Sequence, residues 1–258
     1  MSRLRAKCPY CKTFTAVALG PDYQCHACGA EFGAGLVRVP RAWGKGGEAM
    51  AEAAALELPY PEAAIVAEDT LGDQHLVLAS ELPERPLVIG GCCCSHVGTV
   101  EGLVARHDRL ALIWIDAHGD LNTPETSPSG NEWGMPLRMI VDSGAVKPTD
   151  VALLGARNLD PPEREFIDDS GLHTGDHAVD RALSDVDCVY VAIDFDALDA
   201  DEIGAFMLEP GGMPVDEVER LLRRVAAGVT VVGAGLSGLI PDPRNLPAAA
   251  RLTAALGL

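Results

Sequence analysis

Two acidic clusters are the residues of this chain best suited to chemistry. Asp116, His118 and Asp120 form the first cluster, and Asp194 and Asp196 form the second. Each cluster follows an apolar run that predicts a buried strand, and side chains two residues apart on an extended chain point to the same side. Four carboxylates that converge in this way repel one another unless cations lie among them. The pattern therefore predicts one or two divalent metals of the manganese class, which suits mixed oxygen and imidazole ligands.

Four cysteines near the start of the chain predict a second metal site. Cys8, Cys11, Cys25 and Cys28 form the pattern C-x2-C-x13-C-x2-C. The two C-x2-C pairs can present four thiolates in a tetrahedral arrangement, so the pattern favours zinc over iron or a redox pair. Because four thiolates leave no open coordination position, we expect a structural zinc that supplies the folding energy of this short segment. Such a zinc ribbon can bind a protein partner, cap the core or close over the active site, and the sequence does not choose among these roles.

The segments that carry the acidic clusters resemble the ureohydrolase family of arginases, agmatinases and their relatives. That family carries a D-A-H-x-D stretch, a T-S-x-S-G-N loop and a D-x-D-x-x-D stretch in this order. This chain has DAHGD from Asp116, TSPSGN up to Asn131 and DFDALD from Asp194. The resemblance covers roughly residues 86–243 and implies an α/β, three-layer α-β-α arginase-like fold with a mainly parallel sheet, to which the zinc ribbon is added.

The resemblance also implies a site for two divalent metals, with manganese favoured and zinc or iron as alternatives. Asp116 and Asp194 would bridge the two metals, and His118 and Asp196 would complete one site. Asp120 would belong to the other site, where it would also orient a hydroxide held between the metals.

One ligand of that second site departs from the family pattern. The family commonly supplies the His of a G-G-D-H stretch, whereas this chain has GGCCCSH. A gapless match of the glycines places Cys93 at the ligand position, and His96, a few residues later, is the alternative. A thiolate is softer than an imidazole and favours zinc or iron over manganese.

The family chemistry assigns substrate-binding roles to several loop residues. In ureohydrolases the hydroxide attacks the central carbon of a guanidino or amidino group and releases urea or a similar product. The family positions that often hold the amino-acid end of the substrate are matched by Asn122, Ser127, Ser129 and Asn131. Asp160 and Glu163 match positions that can meet an α-amino group. Loop capping or solvation is the alternative role for each of these residues.

Two further departures bear on the substrate. Trp133 stands where arginase-like members carry a His that is thought to shuttle protons, and an indole cannot transfer them. Near the last strand, the register places Ile240 where the family has a Glu that pairs with the guanidinium, and Asp242 is the nearest acid. Burying a guanidinium without a carboxylate is costly, so we expect a less cationic substrate, such as a hydroxyguanidine, an amidine or an amide. Trp133 would supply an apolar wall or a stacking face for it, unless it only packs the loop.

Five apolar runs are expected to position these residues as parallel strands. They lie in RPLVIGG, RLALIWIDAHGD, DVALLGARN, CVYVAIDFDALD and GVTVVGAGLSGL. The clearest helix between them is VDEVERLLRRVAAG, with Pro214 near its start and Gly228 at its end, and Thr99 is expected to cap another in TVEGLVARH. Strands that alternate with helices predict a doubly wound α/β sheet with its site at the carboxyl ends of the strands. The layout of residues 45–85 stays open.

Length and charge limit the possible partners. The 258 residues suit one main domain with an appendage, which we divide into a zinc ribbon at 1–34 and a metallohydrolase domain at 35–258. The net charge of −18 repels phosphate backbones and anionic membranes, so neither nucleic acid nor a membrane is an expected partner. The chain shows no signal peptide and no apolar run of membrane-spanning length, so we expect it to be cytoplasmic. The expected ligand is a small-molecule substrate, and family analogy suggests a homo-oligomer.

Three functions compete at this stage. The leading hypothesis is a binuclear metallohydrolase that cleaves a C–N bond of a small guanidino-, hydroxyguanidino- or amidino-type compound. The second is a catalytically silent arginase-fold protein that binds a ligand or, through the ribbon, a protein partner, which the loss of the family's His and Glu favours. The third is a metal-dependent amidohydrolase or deacetylase, because a related fold carries that chemistry. The retained metal ligands favour an enzyme over the silent protein.

Overall fold

Twelve strands form two sheets in the computed structural model, which describes residues 5–258. The small antiparallel sheet contains β1 (Arg5–Ala6), β2 (Ala16–Leu19), β3 (Asp22–Cys25) and β4 (Glu31–Phe32). The large sheet contains β5 (Gly35–Val39), β6 (Glu62–Ile65), β7 (Pro86–Gly90), β8 (Leu110–Ile115), β9 (Val151–Leu154), β10 (His173–Thr174), β11 (Cys188–Asp194) and β12 (Thr230–Ser237). Its order is β10-β9-β8-β11-β12-β7-β5-β6, and every neighbouring pair is parallel. The five predicted strands are confirmed as β7, β8, β9, β11 and β12.

Helices cover both faces of the large sheet. They are α1 (Glu48–Ala53), α2 (Leu71–Glu81), α3 (Ser95–Val104), α4 (Pro136–Asp142), α5 (Pro161–Ser170), α6 (Ala178–Ala182), α7 (Val215–Gly228) and α8 (Asn245–Ala255). Leu112 of β8 packs into a core with α3 and α4, whereas its neighbour Ile113 packs into the opposite core with α7 and α8. Because consecutive side chains alternate between two covered faces, both must be apolar, which explains the unbroken apolar runs in the sequence. The three-layer α-β-α fold is thereby confirmed.

Helix α7 follows its sequence pattern. Val215, Val218, Leu222 and Val225 are buried against the sheet, and the helix ends at Gly228 as predicted. Burial of a Leu or Val side chain contributes about 1.5–3 kcal/mol, so this stripe is enough to hold the helix on the sheet.

The predicted N-cap at Thr99 is wrong. Helix α3 begins at Ser95, so Thr99 lies in its middle and is fully buried. Its hydroxyl donates to the carbonyl of Ser95 at 2.8 Å, one turn earlier, which satisfies the group without a cap. The chain turns directly from β7 into the helix, and this early start brings the segment from Cys92 to His96 to the end of the sheet.

Residues 45–85, whose layout the sequence did not predict, supply the far edge of the large sheet. Residues 45–85 contain α1, β6 and α2, and Thr70 caps α2 by accepting from the backbone N–H of Asp73 at 3.1 Å. No helix among residues 5–258 has the length and apolar character needed to cross a bilayer.

The ribbon cysteines come together at that edge. The sulfurs of Cys8 and Cys28 lie 3.7 Å apart, and those of Cys11 and Cys25 lie 3.6 Å apart. The four form one group whose ligand atoms all lie within 4.8 Å of one another, a spacing suited to one tetrahedral ion.

The small sheet is fastened beside β6. The backbone N–H of Lys7 donates to the carbonyl of Glu62, and that of Glu62 donates back to Lys7, both at 2.9 Å. The ribbon thus covers the edge strand, and none of its four cysteines lines the cavity at the carboxyl ends of the central strands. Capping the core is therefore the role that this geometry favours, while the division into domains at residues 34 and 35 stays a prediction.

We expect Cys25→Ser to remove one equivalent of zinc and to lower the melting temperature, because it would remove one buried member of the four-cysteine group that is expected to hold the zinc. Metal analysis by mass spectrometry and a thermal melt measure both effects. Cys188→Ser is the control, since Cys188 is equally buried but belongs to none of the ligand groups found in residues 5–258. Retention of zinc by Cys25→Ser would contradict a structural zinc ribbon.

Candidate metal centre

The acidic residues meet where four adjacent strands end. Asp116 directly follows β8, Asp194 ends β11, Ser237 ends β12, and Cys93 lies just beyond β7. These strands are neighbours in the order β8-β11-β12-β7, and parallel strands bring their carboxyl ends to one edge. The predicted place of the site is therefore where the side chains lie.

The local reason for the convergence differs from the extended-chain prediction. Only Asp194 lies within a strand, whereas Asp196 lies in the 3₁₀ turn Phe195–Ala197. Asp120 has a left-handed backbone with φ of 52°, which is uncommon for a residue other than glycine. Tight turns beyond the strand ends, not strand alternation, bring these carboxylates inward.

The side chains form two ligand groups that share one carboxylate. Cys93, Asp116 and Asp120 form one group, and Asp116, His118 and Asp196 form the other, each with ligand atoms within 4.8 Å of one another. In the second group, His118 Nδ1 lies 3.0 Å from Asp196 Oδ2 and 3.6 Å from Asp116 Oδ1.

Asp194 adjoins the first of these groups. Its Oδ2 lies 2.9 Å from the sulfur of Cys93, which itself lies 3.7 Å from Asp116 Oδ2. Two groups with a shared carboxylate and a further carboxylate alongside match the requirements of a binuclear centre.

Backbone and indole N–H groups hold the carboxylates in place. Trp114 Nε1 donates to Asp116 Oδ2 at 3.1 Å, and the backbone N–H of His118 donates to Asp116 Oδ1 at 2.8 Å. The backbone N–H of Ala117 donates to Asp196 Oδ1 at 3.1 Å. These bonds fix each carboxylate while leaving room for it to accept a cation.

The electrostatics show that the centre suits cations. Burial, together with the charges of Asp116 and Asp194, raises the pKa of Asp120 well above its usual range, and burial beside Asp116 raises the pKa of Asp194 to about 6. Burial lowers the pKa of His118, but hydrogen bonds to Asp116 and Asp196 outweigh this and raise it to about 12. Asp120 Oδ2 is buried without a hydrogen-bond partner. An unpaired carboxylate oxygen in such a place is costly, so the donor set fits divalent ions.

His96 does not join either ligand group. It is fully buried behind the centre, where Nδ1 lies 2.9 Å from the hydroxyl of Tyr190 and Nε2 lies 3.2 Å from Ser237 Oγ. Burial lowers the pKa of His96 to about 3, so the ring is neutral. The absence of a side chain at Gly235 makes room for this imidazole, since a Cβ there would collide with it. The ring supports Ser237, which donates to Asp194 Oδ2 at 3.1 Å.

The centre opens into a cavity of about 280 Å³. Of the predicted substrate-binding residues, those that line it are Asn122, Ser127, Ser129, Trp133, Asp160 and Glu163. Asn131 does not line it, because its side-chain oxygen accepts from the backbone N–H of Lys45 at 3.1 Å and so fastens the segment 40–47.

Hydrogen bonds occupy part of the polar lining. Asn122 Nδ2 donates to Asp160 Oδ2 at 2.9 Å. Glu163 accepts from the backbone N–H groups of Leu121 and Asp160 and completes the capping box of α5. Loop capping, the alternative role for Asp160 and Glu163, is therefore present.

Four large apolar side chains line another part of the cavity, and sequence reasoning identified only Trp133 among them. The others are Met50, Phe206 and Met207. Trp133 and Phe206 pack edge to face with ring centroids 5.6 Å apart. Gly44 lies so close to the indole that any side chain there would collide with it. No motif marks Met50 or Phe206, because they come from distant segments that only the fold brings together.

Beyond β12, neither Ile240 nor Asp242 lines the cavity. Gly238, not Ile240, is the residue beyond β12 that lines the cavity. Its φ is 70°, and a Cβ there would collide with the carboxylate of Asp194, so no side chain fits at this point. Asp242 pairs instead with Arg244 at 2.8 Å and does not line the cavity.

Comparisons with known proteins agree with this geometry. The sequence model of the arginase family matches residues 64–257. Arginase from Bacillus subtilis is 39% identical over 142 residues, which cover 45% of this chain and 48% of that protein. Arginase from Bacillus caldovelox is 34% identical over 189 residues, 62% of this chain and 63% of that protein. The chain thus spans about half the length of the first curated relatives that it matches.

Solved structures extend the comparison. The crystal structure of Bacillus subtilis arginase matches with a TM-score of 0.71 and 27% identity, covering 86% of this chain and 97% of that one. Formimidoylglutamase from Bacillus subtilis matches with a TM-score of 0.67, and its 18% identity shows the fold alone. These matches confirm the ureohydrolase resemblance.

The choice between Cys93 and His96 as a ligand can be tested by substitution. We expect Cys93→Ser to lower the metal content of the core by about one equivalent, because its sulfur lies within a ligand group. We expect His96→Gln to leave the metal content unchanged while lowering the melting temperature, because it loses buried hydrogen bonds. Mass spectrometry of protein supplied with manganese or zinc gives the metal content. The opposite pattern, with metal lost only in His96→Gln, would reassign the ligand.

Proposed function

The chain belongs to the arginase family, and on that premise we propose that it is a metal-dependent hydrolase of a small guanidino-, hydroxyguanidino- or amidino-type compound. The reaction would cleave a non-peptide C–N bond. The observation that carries the proposal is the pair of ligand groups that share Asp116 and open into the cavity. Manganese is the expected metal by family, with zinc or iron as the alternatives because of the Cys93 sulfur.

Most residues of the centre would bind the metals, and Asp120 would also orient the attacking water. Two divalent ions held there would supply a nucleophile from water at neutral pH and polarise the carbon under attack. Asp116, His118 and Asp196 would hold one ion, and Cys93, Asp116 and Asp120 would hold the other, with Asp194 alongside. The unpartnered Oδ2 of Asp120 is placed to accept a hydrogen bond from the attacking water and so to orient it.

The charge of the cavity lining would favour some substrates over others. Asp160 and Glu163 add carboxylates beyond the metal ligands, and none of the described residues that line the cavity is Lys or Arg. Such a surface favours a cationic or neutral substrate over an anionic one. The hydroxyl of Ser129 accepts from the backbone N–H of Asn131 at 3.2 Å, so its own proton is available to a substrate.

Two features of the cavity disfavour ordinary arginase activity. Neither Ile240 nor Asp242 lines the cavity, so no carboxylate that follows β12 reaches it, and Trp133 stands at the family's proton-shuttle position. A full guanidinium would lack its paired acid there, which is costly in a buried site. A hydroxyguanidine, which is less basic than a guanidine, suits this site, and a compact apolar portion on it or on an amidine would contact the wall formed by Trp133 and Phe206.

Metal analysis followed by a product assay tests the proposal. The full chain, purified without added metal and then supplied with manganese or zinc, should hold two core metals besides the ribbon zinc. It should then release urea or ammonia from alkylguanidines, hydroxyguanidines or alkylamidines. A core that stays empty would favour the silent binding protein, whereas metal loading with hydrolysis of simple amides alone would favour an amidohydrolase or deacetylase.

The cellular compartment, the oligomeric state and a protein partner are also part of the proposal. We place the enzyme in the cytoplasm, acting on a small molecule, and by family analogy as a homo-oligomer. A protein partner for the ribbon is a further proposal, supported by the exposed side chains of Tyr10 and Phe14 on it, which are 62% and 65% exposed.

We expect Trp133→Ala to raise the KM for apolar amidines about tenfold with little change in kcat, because an apolar contact contributes mainly uniform binding. Steady-state kinetics over a series of amidines with growing apolar groups measures the effect. Leu208→Ala is the matched control, since Leu208 adjoins the wall in sequence but does not line the cavity. An equal KM for Trp133→Ala and the control would show that the indole only packs the loop and does not contact the substrate.

A further inference from the structure

The imidazole of His118 has one nitrogen without a partner. Nδ1 faces Asp196 and Asp116, so this nitrogen points to the metal position. Nε2, on the other side of the ring, is buried and accepts or donates no hydrogen bond within residues 5–258. The carboxylate of Glu209 faces it, with Oε1 3.5 Å from Nε2.

The chemistry of a metal-bound imidazole requires an acceptor at this place. A neutral imidazole that binds a cation through Nδ1 carries its proton on Nε2. Histidines that ligate metals almost always donate this N–H to a carboxylate, a carbonyl or water, which fixes the ring and raises its basicity. A carboxylate is the strongest of these acceptors, and Glu209 is the one whose oxygen faces Nε2.

The loop that carries Glu209 is tied to the metal-binding turn. The guanidinium of Arg157 donates through Nη2 to the carbonyls of Asp196 and Glu209, at 2.8 and 2.9 Å, and through Nε to the carbonyl of Pro210 at 2.9 Å. A single side chain thus fixes the backbone of Glu209 relative to the backbone of a metal ligand.

The next residue aims the carboxylate. Asn158 Nδ2 donates to Glu209 Oε1 at 2.7 Å. The backbone N–H groups of Arg157 and Asn158 both donate to the carbonyl of Ala117, at 2.9 and 3.0 Å, and Ala117 directly precedes His118. The backbone beside the imidazole and the loop that carries the carboxylate are therefore held by the same two residues.

We propose that Glu209 is a positioning residue that accepts the Nε2–H of His118 and holds the imidazole toward its metal. This inference rests on the metal centre of the proposed function and adds a residue that lies outside the three family motifs. Glu209 is about a quarter exposed, at 26%, so its side chain has room to shorten the gap to hydrogen-bond distance when a metal draws the ring into place.

Metal retention tests the proposal without any substrate. Full-length protein is loaded with manganese or zinc and exposed to a chelator for set times, and the metals that remain are counted by mass spectrometry. We expect Glu209→Ala to weaken retention of one core metal by roughly 10- to 100-fold, and Glu209→Gln to do so less, because an amide oxygen still accepts the N–H. Asn158→Ala should shift retention in the same direction by a smaller factor.

Glu217→Ala is the matched control, since it removes one exposed carboxylate from α7 and leaves the centre intact. The melting temperatures of the metal-free Glu209→Ala and Glu217→Ala proteins should agree, which separates positioning from folding. Equal metal retention in these two variants, with a wild-type protein that holds two core metals, would overturn the role of Glu209 alone. A wild-type protein that holds no core metal would overturn the proposed function and this inference together.

Discussion

Buried negative charge at one edge of the large sheet is the constraint on which the rest of the structure depends. Asp116, Asp120, Asp194 and Asp196 are each at most 6% exposed, and all lie beyond or at the ends of strands whose own side chains are apolar. A sheet covered on both faces leaves its carboxyl edge as the place where polar groups can gather. Burial, together with the charges of neighbouring carboxylates, raises the pKa of Asp120 and of Asp194, and cations relieve this most directly.

Glycines are as important as the metal-ligand candidates at this edge of the sheet. Gly235 leaves space for the ring of His96, and Gly238 leaves space for the carboxylate of Asp194. Gly119 does the same for Glu163, whose side chain caps the turn that carries Asp120. Each glycine allows a polar group to approach the backbone closely, and the charged cluster can be packed tightly only because of these approaches.

The departures from the family pattern form a consistent set around the cavity. In the proposed function, Cys93 would replace an imidazole with a softer ligand and Trp133 would replace a proton carrier with an apolar surface, while no acid that follows β12 lines the cavity. The first change bears on the metal and the other two bear on the substrate. On that proposal, the chain keeps the family's metal centre and differs at the surface that meets the substrate, while the ribbon lies at the distant sheet edge beside β6.

Sequence alone determined the five central strands, helix α7 and the α/β layers, because unbroken apolar runs are local signals. Short motifs also predicted most of the proposed ligand set, but left Cys93 and His96 as alternatives. It also identified the four ribbon cysteines, whose spacing is local. Tertiary structure decided what lies between distant segments: the pairing of His96 with Tyr190, the wall that Trp133 shares with Met50 and Phe206, and the approach of Glu209 to His118. The start of α3 and the place of Gly238 also depended on close packing against the sheet. These features are contacts between parts of the chain far apart in sequence, and no local pattern encodes which side chain will meet which.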